Sequence, residues 1–190
     1  MQSKKKLVVI DVQNDFVTGS LGTKEARAML PRLLEKVRAF DGEILMTRDT
    51  HEENYMETQE GRMLPVPHCI RGTDGWALVP ELEAIRAERD LKVYDKPCFG
   101  SLELVKDMKA AYDQGELESL ELVGICTDIC VASNALMLKS TMPELPMYVD
   151  AGCCAGVTPE KHEAALEVMR SCQVNVKQMR KNEKRGTMRR

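Results

Sequence analysis

Apolar and polar positions come in two kinds of block along this chain. Leu7-Val8-Val9-Ile10 is an unbroken apolar run, as in a strand buried on both faces. Further strand-like runs lie at 43–47, 91–94, 120–125 and 146–149, with a short sixth at 174–176. Between them the period lengthens to that of a helix. Met29, Leu30, Leu33, Leu34 and Val37 share one face of a helix that ends near Phe40. Pro31 is expected in its first turns, where a missing amide proton costs little. Pro80 opens a short helix through Ile85, and Ser101 caps another that ends at Gly115. Residues 131–138 are apolar nearly all round, as in a buried helix. Residues 150–156 look like a loop, and Thr158-Pro159 like the cap and first position of a helix reaching about Cys172. Strands alternating with helices predict an α/β fold, a parallel sheet with helices on both faces. Residues 52–79 hold no period, and segments of that kind are usually functional or disordered. Trp76, Leu64, Pro65 and Pro67 argue against disorder here.

Composition narrows the picture. The 190 residues suit one domain, expected over 1–179, with a basic, solvated and flexible tail over 180–190. A net charge of -3 without a basic stripe argues against nucleic acid. No apolar run reaches the roughly 20 residues that span a bilayer. The basic start is followed by too short an apolar stretch for a signal peptide, so the expected compartment is the cytoplasm. Seven cysteines, an odd count without a Cys-x-x-Cys pair, predict neither a disulfide framework nor a zinc ribbon.

The candidate chemistry gathers just after the strands, at Asp11, Asp49, His51, Lys96 and Cys130. In a parallel sheet those ends share one edge, so residues distant in sequence become neighbours there. The stretch from Gly124 to Val131 runs from strand through a tight turn into a helix. Thr127 is expected to cap that helix. Cys130 then falls in its first turn, where the dipole and unpaired amides favour thiolate. It is either a nucleophile or a buried structural cysteine. Asp49, His51, Glu60 and His68 form a mixed oxygen and nitrogen set suited to zinc, manganese or iron, or else two of them are surface histidines on a loop. His162 is expected to have no part in the chemistry.

The segments 9–16, 47–51 and 124–131, with the turn at Lys96, resemble the isochorismatase-like cysteine hydrolases, and among them the nicotinamidases. The resemblance covers about residues 7–176. It implies a three-layer fold with a six-stranded parallel sheet ordered 3-2-1-4-5-6. It implies a triad of Asp11, Lys96 and Cys130, and an oxyanion held by the amides of Cys126 and Cys130 after a cis Ile125–Cys126 bond. It further implies a divalent metal, zinc first, on Asp49, His51, Glu60 and His68, and a nicotinamide ring flanked by Phe16 and Phe99. Nicotinamidases usually carry an aromatic residue about three before the last histidine. Here Leu64 and Pro65 stand in that neighbourhood, leaving Trp76 or an aliphatic wall to replace it. The implied partner is a small carboxamide, with homo-oligomers left open. Another small carboxamide or imide, or a binding role without catalysis, are the other readings.

Overall fold

The computed structural model describes residues 4–178. The tail expected over 180–190 therefore lies outside the described residues. Six parallel strands form one sheet: β1 (Lys5–Ile10), β2 (Glu43–Asp49), β3 (Lys92–Lys96), β4 (Ser119–Ile125), β5 (Met147–Ala155) and β6 (Asn175–Lys177). Their order is β3-β2-β1-β4-β5-β6, as the resemblance implies. The connecting helices are α1 (Asn14–Val17), α2 (Lys24–Ala39), α3 (Gln59–Met63), α4 (Pro80–Arg89), α5 (Leu102–Asp113), α6 (Ala132–Thr141) and α7 (Pro159–Ser171). Helix α2 packs on α4 and against β4 and β5, whereas α5, α6 and α7 pack in series as the other layer. Leu7, Val8, Ile10, Leu120, Leu122 and Val123 are wholly buried, which is why their strands carry no polar alternation.

Register sets the site. Asp49 is level with Lys96, and Ile10 is level with both Thr47 and Gly124. Gly124 has φ of 127°, and a Cβ there would run into the Ile10 carbonyl. Glycine therefore lets β4 close on β1 just before Asp11 and the Cys126 turn begin.

Three expectations need correction. Helix α2 starts at Lys24, capped by Thr23, whose side chain accepts from the Ala26 amide, so Pro31 lies in its interior. The expected loop at 150–156 is mostly strand: after an irregularity in its pairing with β4, β5 continues to Ala155. The period-free stretch contains a 3-10 turn, Tyr55–Glu57, and α3, capped by Thr58. No described helix is long and apolar enough to cross a membrane.

Candidate active site

At the carboxyl edge of the sheet, the backbone turns sharply after β1, and Asp11 adopts φ of 49°. Its fully buried carboxylate faces Lys96, with Oδ2 2.6 Å from Nζ, and its Oδ1 accepts a 2.6 Å bond from the Thr47 hydroxyl. Lys96, the last residue of β3, is also buried. Its ammonium lies 3.2 Å from Asp49 Oδ1 and 3.4 Å from Cys130 Sγ. One cation thus meets two carboxylates and one sulfur. Against burial, which would lower its pKa, the charges of Asp11, Cys130 and Asp49 raise it and keep it protonated.

Cys130 sits in a π-helical turn, Thr127–Val131, that leads into α6. The pull toward thiolate expected of the helix start is opposed here by burial. Burial pushes the thiol well up, the Asp11 charge adds to this, and Lys96 opposes it without winning. Burial raises Asp11 as well, against Lys96. Asp11, Lys96 and the Cys130 sulfur thus form one buried group in which a proton can pass between sulfur and carboxylate. Thr127 does not cap the helix. No side chain caps this turn, and the Thr127 hydroxyl meets His162 Nδ1 at 2.7 Å instead. The Ile125–Cys126 bond is cis.

Beside this group stand Asp49, His51, Glu60 and His68, whose ligand atoms all lie within 4.8 Å of one another. Asp49 Oδ2 is 3.0 Å from His51 Nε2 and 3.5 Å from His68 Nε2. Glu60 Oε1 is 3.7 Å and 3.9 Å from the same nitrogens. His68 Nδ1 must donate to the Val66 carbonyl at 2.8 Å, which turns the Nε2 lone pair toward the cluster. His51 Nε2 is buried and has no hydrogen bond of proper geometry. A buried imidazole nitrogen without a bond, facing two carboxylates and a second imidazole, is the environment a divalent cation completes, so the residues fit one. Burial alone would raise the Asp49 carboxyl. The close imidazoles of His51 and His68 and the Lys96 charge outweigh it and lower its pKa.

Several supports have no counterpart in the sequence reading. Buried Gln13 holds Asp49 from both sides, accepting from its N–H at 2.7 Å and donating to its carbonyl at 2.8 Å. Tyr55 packs its ring on His51 and His68 at 4.7 and 5.1 Å. Asp15 Oδ2 accepts from the Cys69 amide, next to His68. Thr47 could have been found, since it sits two before Asp49 and shares its face. Tyr55 lies in the period-free stretch and left no signal.

The cavity over these groups holds about 610 Å³. Phe16, Leu64 and Phe99 line it together with Cys126 and Cys130. Trp76 is not among the lining residues: its ring lies under Arg48, and its Nε1 donates to Thr50. Of Leu64 and Pro65, Leu64 lines the cavity and Pro65 does not.

Residues 5–181 match the isochorismatase domain family. An isochorismatase family protein of Bacillus subtilis is 32% identical over 143 residues, 70% of this chain and 77% of the relative. A nicotinamidase/pyrazinamidase of Mycobacterium tuberculosis is 27% identical over 186 residues, 90% of this chain and 97% of that one. Among solved structures, the pyrazinamidase of Pyrococcus horikoshii in complex with zinc superposes with a TM-score of 0.74. It is 28% identical and covers 93% of this chain and 100% of its own.

Proposed function

The chain belongs to the isochorismatase family, in its nicotinamidase branch, and is an amidohydrolase; on that footing we propose that it hydrolyses nicotinamide to nicotinic acid and ammonia through a thioester on Cys130. The observation that carries this reading is one cavity lined by buried Cys130 and by Asp49, Glu60 and His68 of the candidate metal set, with the Lys96 ammonium behind it touching both the sulfur and Asp11.

The Asp11 carboxylate takes the Cys130 proton, and the sulfur adds to the carboxamide carbon. The amides of Cys126 and Cys130 receive the oxyanion. Asp11 returns its proton to the amine, and the C–N bond breaks with loss of ammonia. Water then gives a proton to Asp11 and its hydroxyl to the thioester carbon. Nicotinic acid departs, and Asp11 reprotonates the sulfur. Lys96 holds positive charge against both Asp11 and the sulfur, so the thiolate is stabilised as it forms. Asp49, His51, Glu60 and His68 would hold one divalent ion, zinc in this reading. When bound, it supplies a Lewis-acidic anchor for a pyridine nitrogen. Phe16, Leu64 and Phe99 enclose the ring and exclude water from it.

The test compares nicotinamide with benzamide, which has the same carboxamide and no ring nitrogen. The zinc-loaded enzyme is expected to favour nicotinamide by about 100-fold or more in kcat/KM, roughly 2.7 kcal/mol. His51→Ala or thorough chelation removes that preference. Equal turnover of benzamide, or indifference to chelation, would move the reading to another small carboxamide or imide.

A further inference from the structure

The cavity is larger than the substrate proposed above. At about 610 Å³ it falls in the range that encloses drug-sized ligands, whereas nicotinamide is a single six-membered ring with one carboxamide. Its two ends also differ in chemistry. Asp49, His68 and Cys130 at one end are almost wholly buried. At the other end Met63 is 82% exposed, Phe99 46%, Val157 40% and Leu64 38%, and all four line the same cavity. Seven large hydrophobic side chains stand exposed among the described residues, and these are four of them. Scattered apolar exposure is ordinary, but a cluster continuous with a reactive centre marks a ligand surface.

Separate parts of the chain build this mouth. Helix α3 carries Glu60 and, three residues on and so on the same side, Met63, with Leu64 just beyond its end. Phe99 comes from the turn after β3, and Val157 from the turn after β5. The rim holds one charge of each sign, Asp128 and Lys161. Asp128 already accepts from the Val157 amide at 2.9 Å. Neither sign of charge is favoured there.

We propose that this mouth is an outer subsite for an uncharged apolar group carried on the substrate ring, so that the preferred substrates are nicotinamides extended at ring carbon 5. The proposal rests on the nicotinamidase reading for the placement of the ring. In nicotinamide the ring nitrogen and the carboxamide-bearing carbon are positions 1 and 3. With both engaged at the buried end, carbon 5 is the ring atom that faces away from them. A group there meets Met63, Leu64, Phe99 and Val157. The aliphatic wall near Leu64 gives it room, where a large aromatic side chain would compete for the same space.

The test uses nicotinamide and 5-phenylnicotinamide. Calorimetry on zinc-loaded Cys130→Ala protein reads binding without turnover, and ammonia release by the unaltered enzyme reads kcat/KM. The phenyl derivative is expected to bind about tenfold more tightly and to be hydrolysed with at least equal kcat/KM. Combining Met63→Ser with Val157→Ser is expected to erase most of that advantage, read as the ratio of the two dissociation constants. Both side chains are exposed, so folding is not at stake. Equal or weaker binding of the phenyl derivative, or an advantage that survives the double substitution, overturns the outer subsite. If nicotinamide still binds and reacts in that case, the nicotinamidase reading stands. Failure of both amides to bind and react overturns that reading and the subsite together.

Discussion

Burial and the neighbouring Lys96 charge pull the Cys130 thiol in opposite directions. A helix start would favour thiolate, and the sequence shows only that influence. The competing influence, complete burial beside a carboxylate, appears only when the chain is folded. The neighbouring Cys126 also lines the cavity, with burial pushing its thiol up to about 12, but the Lys96 ammonium lies against Cys130. The two thiols therefore differ in partner, and Cys126 is the more exposed of them. Cys130→Ala is expected to lower kcat by at least about 1,000-fold, whereas Cys126→Ala keeps most of it, because an alanine retains the backbone amide. Mass spectrometry after a thiol-directed inhibitor should place the adduct on Cys130. An adduct confined to Cys126 would contradict the assignment. Thr127 shows the same limit of sequence reading. Its type and position suit a cap, and only the arrival of α7 from 35 residues away gives its hydroxyl another partner.

Helix α2 carries the clearest conflict between local rule and tertiary structure. Proline in a helix interior lacks an amide proton and crowds the carbonyl four residues back, at a cost of about 3 kcal/mol. A start at Pro31 would avoid that cost. The observed helix instead begins with Thr23 as its cap and buries Ala26 and Met29 ahead of the proline, and Leu33, Leu34 and Val37 after it. Burying such side chains is worth about 1.5–3 kcal/mol each for the larger ones, so keeping the first turns outweighs the proline. Pro31 is exposed, so nothing packs on its ring that an alanine would lose. Pro31→Ala is expected to stabilise the protein by about 1–2 kcal/mol, read from urea denaturation. A loss of stability would mean that the proline contributes chiefly by restricting the unfolded chain. Strand β5 departs from its local pattern for a related reason. Asp150, Gly152 and the adjacent cysteines have turn-like composition, and only pairing with β4 on one side and β6 on the other recruits them to the sheet.

At the scale of the whole molecule, a polar network ties α2 to the sheet away from the cavity. Lys36 Nζ lies 2.5 Å from Glu121 and 2.7 Å from Asp150, and Lys177 reaches Glu121 from β6. Burial would raise the Asp150 carboxyl, but Lys36 and then Arg32 hold it below its usual range. Because the folded value lies below the unfolded one, near 3.9, the stabilisation is complete above that pH and fades as pH falls through the folded value. Lys36 runs the other way. Its pKa is raised against burial by Asp150 and Glu121, so its share is present at neutral pH and lost only as pH rises through the folded value. Lys36→Met is expected to cost about 1–3 kcal/mol at pH 7, with a smaller penalty at pH 3. A penalty unchanged between urea titrations at the two pH values would contradict this coupling. Pattern alone located six strands and gathered the chemistry-bearing residues at their ends, because continuous apolar runs and parallel pairing leave strong traces. Strand order was legible only through family resemblance. The supports from Tyr55 and Asp15 depend on contacts made by the period-free stretch, and that from Gln13 on a contact 36 residues away with Asp49, none of which periodicity encodes. That stretch also contains the chain's single tryptophan. Trp76 is clasped by Arg48 and by Thr50, the residue before His51, yet is not among the residues that line the cavity. Its emission therefore comes from one address. The protein thus carries an optical reporter on the same segment as Glu60 and His68, set apart from the lining of the cavity.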